Sequence, residues 1–303
     1  MKRRFFVWLA PFFLTVVTCQ AWGWSAQGHG DIAVAALEQL PKSLQQEYRS
    51  VLMAGPWAKG KVSWHSAASR AAAWPDRVKS QPLSKLFSQY GSGKVPTALQ
   101  AYYNRPTSDW HYTNALFINP LGKVVEANSR SSAKACPPSR EGKLMEIWPK
   151  LFSAYHQAKD PRDKAIVLAF VLHLVGDAYQ PLHLLGSLDD QCRHDRGGNG
   201  FCVAPVVGFK AGLRCRDSLH FLWDKGFGAF EDDLTVKARL RGDPRSLTPA
   251  QDAVKRIAKN VYPEKPSHSD TPAYQNRSRR QASQMAQLAS GHLASALESL
   301  ARK

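Results

Sequence analysis

Polar residues interrupt the most apolar stretch of the chain at helical spacing. Residues 165–181 read AIVLAFVLHLVGDAYQP. That is too uniformly apolar for a surface helix, so the pattern predicts a central one over Ala165 to Tyr179. His173 and Asp177 lie four residues apart in it, on one helix face, and His183 follows six residues after Asp177. A second pair at the same spacing, His220 and Asp224 in SLHFLWD, comes 37 residues after His183. A buried imidazole or carboxylate is costly unless something satisfies it, and a metal ion does so. Two such pairs predict a polynuclear metal site.

Elsewhere the pattern is again mostly helical. Asp31 to Leu40 has helical composition and stops at Pro41, and Ser43 reads as the cap of the next helix, through Leu52. Ser63 to Ala73 is Ala-rich and helix-compatible. Arg140 to Lys159 sets Leu144, Ile147, Trp148, Leu151 and Tyr155 at helical intervals. From Thr271 onward, Met285, Leu288, Leu293, Leu297 and Leu300 fall on roughly one face of a long packing helix. Residues 119–142 are polar, with Gly and Pro, and predict a loop. Asp189 to Arg216 holds the one convincing β-hairpin. The expected fold class is mainly α: a single-domain multi-helix bundle with a short β-hairpin.

The N-terminus changes the picture. MKRR followed by the apolar run FFVWLAPFFLTVV has the form of a secretory signal peptide, and that run is too short to span a bilayer comfortably. Ala21 and Gly23 offer small residues for cleavage, predicting a leader over residues 1–23 and a domain over 24–303 that begins at Trp24. Thr18 is a poor fit to a lipoprotein anchored through Cys19. The expected location is periplasmic or secreted, with no stable membrane span. Removing Lys2, Arg3 and Arg4 with the leader lowers the formal net charge from +17 to +14, a basic balance that favours anionic partners. Four cysteines remain: Cys136, Cys192, Cys202 and Cys215. An even count in an exported chain predicts two disulfides. Of three pairings, the favoured one joins Cys202 to Cys215 across the hairpin and Cys136 to Cys192.

The candidate ligands are His29, Asp76 in WPDRVK, His111 in DWHYTN, and His173, Asp177, His183, His220 and Asp224. Imidazole and carboxylate without thiolate suit zinc. These blocks, in this order, carry a family resemblance. WSAQGH, WPDRVK, WHYTN, HLVGDAYQPLH, DRGGN, SLHFLWD and the closing QLASGHLASALESL resemble the S1/P1 nucleases, zinc-dependent, secreted, mostly helical enzymes related to zinc phospholipase C. The resemblance covers nearly the whole chain after the leader. It implies three zinc ions: one held by Asp76, His111, His173 and Asp177; one by the free amine and carbonyl of Trp24 with His29, sharing Asp177; and one by His183, His220 and Asp224. The amine exists only after leader cleavage, and metal must displace its proton.

The resemblance also implies the chemistry. The zinc charges outweigh those of Asp76, Asp177 and Asp224, so the cleft attracts a phosphodiester, and activated water attacks phosphorus in line. Asp76 would orient the attack and Lys79 would stabilise the transition-state charge. Tyr112 would stack on a base, with Asn114 and Asn199 at base edges. The expected activity is endonucleolytic cleavage of single-stranded DNA and RNA to 5′-phosphate products by a monomer; 3′-nucleotidase activity stays open. The chain departs from the pattern where Tyr179 replaces a common His, where Pro75 replaces Ala, and in the cysteine-bearing loop from Ser187 to Cys215. A zinc phospholipase C is the alternative. That family has a longer gap between the first Trp and its His, and Glu where Asp224 stands.

Overall fold

The computed structural model describes residues 24–127, 142–204, 208–209, 215, 217–231, 234, 239–240 and 242–302. The expected leader, residues 1–23, and Cys136 lie outside them. The described chain is mainly helical, with a few short strands.

Helix α1 (Ala26–Glu38) starts five residues earlier than its composition predicts and takes His29 into the helix. The Ser25 hydroxyl caps it, accepting from the Gly28 amide at 3.2 Å. Gly28 and Gly30 hide this turn from a propensity reading. Packing explains them: a Cβ on Gly30 would lie 2.1 Å from the Ser69 hydroxyl of the neighbouring helix. Helix α2 (Lys42–Met53) follows Pro41 directly, and the Pro41 carbonyl accepts from Gln45. Ser43 lies inside the helix and does not cap it, which corrects the sequence expectation.

Helix α3 (Trp64–Val78), capped by Ser63, runs past the predicted Ala73 and straight through Pro75, so Asp76 is helical. Helix α4 (Leu83–Tyr90) follows. Strands β1 (Leu116–Ile118) and β2 (Val124–Glu126) pair antiparallel, with Leu116 opposite Glu126. They correct the expectation of a continuous loop from 119: three residues are too few to show a period of two. Helices α5 (Leu144–Gln157) and α6 (Pro161–Tyr179) come next. Asp160 caps α6, with Pro161 at the first turn. Helix α7 (Pro181–Leu184) leads into β3 (Leu185–Ser187), which runs parallel to β1.

Strand β4 (Phe201–Ala204) pairs antiparallel with β5 (Gly208–Phe209) on one side and β6 (Asp217–Ser218) on the other. The expected hairpin is thus a three-stranded sheet. Cys202 and Cys215 are disulfide-bonded across it, with Cα atoms 5.0 Å apart. Cys192 is also disulfide-bonded. Helices α8 (Leu219–Asp224), α9 (Thr248–Val261) and α10 (Pro272–Ala301) complete the order. On α10, Met285, Leu293, Leu297 and Leu300 are buried, but Leu288 is 41% exposed. At about 100° per residue it sits roughly 140° round from Leu293, which removes it from the predicted face.

Every residue from Ala165 to Gln180 is buried. Helices α1, α3, α5, α9 and α10 pack around α6. Burying each large apolar side chain contributes about 1.5–3 kcal/mol. Leu168, Phe170, Val171, Leu172, Leu174 and Val175 together far exceed the cost of seating two polar residues among them.

Candidate metal centre and cleft

Five helices and one turn converge on Asp177. His29 comes from α1 and Asp76 from α3. His111 follows a 3-10 turn (Ser108–Trp110), His173 and Asp177 lie on α6, His183 on α7, and His220 with Asp224 on α8. One carboxylate oxygen of Asp177 lies 3.0 Å from both His111 Nδ1 and His173 Nε2. The other lies 3.4 Å from His29 Nε2. Asp76 adds an oxygen 3.6 Å from His111 Nδ1 and 3.8 Å from His173 Nε2. On the far side, His220 Nε2 lies 3.5 Å from Asp224, and the rings of His183 and His220 stack at 5.1 Å. Three groups form: His29 with Asp76 and His173; His111 with His173 and Asp177; and His183 with His220 and Asp224. Within each, the potential ligand atoms lie within 4.8 Å of one another.

Backbone carbonyls aim these rings. His173 Nδ1–H donates to Ala72 at 2.7 Å, His183 Nδ1–H to His111 at 2.5 Å, and His220 Nδ1–H to Gly197 at 2.6 Å. In each case the hydrogen bond fixes the tautomer that leaves Nε2 as the electron-pair donor. Pro75 has no amide donor, so it is the Ala71 carbonyl, four residues earlier and next to Ala72, that loses its helical partner in α3. Gly176 contributes to the placing of His29: a Cβ there would sit 2.8 Å from His29 Nδ1.

Polar atoms at the centre lack hydrogen-bond partners among the described residues: both ring nitrogens of His29, Nε2 of His111 and of His183, and one oxygen of Asp177. Buried polar atoms are normally paired. His29, His111, His183 and Asp177 each belong to a group whose potential ligand atoms lie close enough together to hold a cation. The charges agree. Burial works to raise the Asp177 carboxyl, but His173 and His183 overcome it and hold it well below the usual range. At Asp76 burial likewise works upward, and His173, His111 and Lys79 outweigh it to lower the carboxyl. Burial drives Asp224 well above the usual range; the Gln180 amide opposes this, while Asp76 and Asp177 add to it. Burial also lowers His29, to about 4, which keeps its ring neutral and able to act as a ligand. The residues fit a divalent metal.

A cleft of about 540 Å³ opens beside the centre, walled by His111, His183 and His220. Lys79, Tyr112, Asn114 and Asn199 all line it. Lys79 is a buried side chain, its ammonium donating to Asp76 at 3.0 Å. Asn114 is buried, whereas Tyr112 and Asn199 are half-buried. The Asn199 amide donates to the Arg196 carbonyl at 2.9 Å. Trp24 is fully buried, its ring edge-on to Phe230 at 5.2 Å. The next amide, of Ser25, donates to the Asp224 carbonyl at 2.7 Å, so the start of the domain is held against the centre.

Two positioning residues escaped the sequence reading. Gln180 is fully buried, donates to Asp224 at 2.7 Å and accepts from the Leu182 amide. Its signal was a polar residue ending an apolar helix before Pro181. Asp195 is buried, with its carboxylate accepting from the Ser187 amide at 2.9 Å and the Tyr262 hydroxyl at 2.6 Å. Nothing local in the sequence announces the Tyr262 partner.

Such a helical domain, with clustered imidazoles and carboxylates at an open cleft, is that of a metal-centred protein. The S1/P1 Nuclease family model matches residues 24–301, and the chain belongs to the S1/P1 nuclease family. Membership makes it a hydrolytic nuclease by family, with nucleic acid as the implied substrate and a metal-dependent centre. A comparison with the curated proteins returned no match. Among the described residues, no helix is long and apolar enough to cross a membrane.

Proposed function

We propose that the protein is an exported endonuclease that holds three zinc ions and hydrolyses the phosphodiester bonds of single-stranded DNA and RNA, leaving 5′-phosphate ends. The observation that carries this is the burial of five imidazoles and three carboxylates around one cleft. Asp76, His111, His173 and Asp177 would hold one ion. The Trp24 amine and carbonyl would hold the second with His29 and Asp177, and His183, His220 and Asp224 the third. Bound zinc supplies a Lewis acid and a water activated at neutral pH.

The chain's own residues do the rest. Lys79, held by Asp76 at the cleft, offsets charge that builds on the phosphoryl oxygens. Tyr112 offers a ring face to a base, and the amides of Asn114 and Asn199 meet base edges. A duplex keeps its base faces stacked, so single strands are preferred. Removal of residues 1–23 during export frees the Trp24 amine. The test is an assay of purified mature protein against single-stranded DNA, single-stranded RNA, duplex DNA, 3′-mononucleotides and phosphatidylcholine, alongside metal analysis. Cleavage of single strands to 5′-phosphate ends, lost on chelation and restored by zinc, is expected. Hydrolysis of phosphatidylcholine in preference to single strands, or strand cleavage by metal-free protein, refutes it.

A further inference from the structure

The loop between β3 and β4 has an unusual backbone. Arg196, Gly197 and Gly198 are consecutive residues in the left-handed region, with φ of 55°, 61° and 77°. The glycines are explained by close approach. A Cβ on Gly197 would lie 2.2 Å from the Leu182 carbonyl oxygen, and one on Gly198 2.8 Å from a Leu182 methyl. Arg196 has no such explanation, because a side chain in this conformation is strained wherever it points. The surroundings over-determine the strain. The Asp195 carboxylate ties the loop to Ser187 and Tyr262, and the Arg196 amide donates to His194 Nδ1 at 3.1 Å. Gly197 is in turn bonded to His220. The loop is therefore rigidly joined to the centre, and it presents Arg196 in the cleft wall beside Asn199.

Among the described residues Arg196 makes no ion pair or side-chain hydrogen bond, and it is exposed. Arg193, three residues earlier, is bonded to Asp189 at 2.7 Å. Lys79, the other cation of the cleft wall, is bonded to Asp76. Arg196 thus adds, on a backbone held in place, a charge with no ion-pair partner among the described residues and a fork of donors that matches a phosphate.

We infer that Arg196 is a specificity-determining residue, which binds a phosphate of the substrate strand other than the one being cleaved. This rests on the nuclease reading above. It makes Arg196 a measure of strand length: a dinucleotide, with its single phosphate at the scissile position, does not use it, whereas a longer strand does.

The experiment compares wild type with R196Q, R196K and R196G on a single-stranded 20-mer and a dinucleotide over a range of salt. For R196Q, KM for the 20-mer rises about tenfold, with kcat and the dinucleotide KM within about twofold. The slope of log KM against log salt falls by about 0.7, the loss of one single-strand phosphate contact. R196K keeps most of that slope. R196G, which relieves the left-handed strain, melts no lower than wild type and shares the R196Q loss, separating chemistry from folding. An unchanged R196Q slope, or equal losses on 20-mer and dinucleotide, overturns the inference. Anisotropy of a fluorescent phosphorothioate 20-mer reads binding without turnover. Wild type that binds but does not cleave sinks the nuclease reading and leaves Arg196 to be judged on its binding slope; wild type that fails to bind sinks both.

Discussion

Gly176→Ala separates the stability of the central helix from the integrity of the centre. Gly176 lies in the interior of α6, where Ala is preferred by about 0.5–1 kcal/mol on backbone grounds. The added methyl would, however, stand 2.8 Å from His29 Nδ1 and 3.0 Å from His29 Cε1. Ordinary contact begins near 3.4 Å, so the ring must retreat by roughly 0.6 Å. Metal–ligand distances tolerate only about 0.2 Å. The ring is also stacked on His173 at 3.9 Å, which limits where it can go. Overpacking of this kind costs about 1–3 kcal/mol, so the net change runs from near zero to about 2.5 kcal/mol of destabilisation. The loss of metal affinity at His29 is expected to reach at least 10–100-fold, the scale seen for disturbing a ligand's support. Metal content after dialysis against a graded chelator, thermal melting and nuclease activity are read together. One metal equivalent lost, with strongly reduced turnover and melting within a few degrees of wild type, is expected. Full metal content and full turnover in G176A would refute the placement of His29 as a ligand.

Three further outcomes follow from the same geometry. Asp177→Asn removes the carboxylate that faces His29, His111 and His173, so activity falls at least a thousandfold and metal content drops; near-normal turnover on single strands would contradict the shared role. A mature chain carrying one extra residue before Trp24 has an amide in place of the amine and loses most of its activity, unless Trp24 is not a ligand, in which case it cuts at full rate. His292 is buried, its ring bonded to the Pro244 carbonyl and near the Tyr179 hydroxyl, and burial lowers it from 6.5 to about 4. The unfolded chain therefore takes up a proton in the window from pH 6.5 to 4 that the folded chain refuses. Stability falls with pH there by up to about 3 kcal/mol. In urea unfolding at pH 7 and pH 4.5, H292Q should lose less stability on acidification than wild type, and equal losses would count against this.

The parts of the site carried by local spacing were legible in the sequence. His173 with Asp177 and His220 with Asp224 sit on single helix faces, and the apolar run around the first pair marks α6 as central before any contact is known. Asp76 was legible as a candidate but not as a helical residue, because Pro75 reads as a stop. The helix nonetheless runs on to Val78, forfeiting only the hydrogen bond to the Ala71 carbonyl. Residues 26–30 look like a glycine-rich lead-in, yet close packing on α3 makes them helix. Strands β1 and β2 fall below the length at which alternation shows. Gln180 and Asp195 hold the centre through partners 44 and 67 residues away, and single-sequence patterns do not report such separations.

The hydrogen bond from the Ser25 amide to the Asp224 carbonyl sets a timetable. The beginning of the domain must wait for a strand of polypeptide made about 200 residues later. At roughly 5–20 residues per second of synthesis, that delay is about 10–40 s. A half-made chain therefore lacks a docking place for its own first residues.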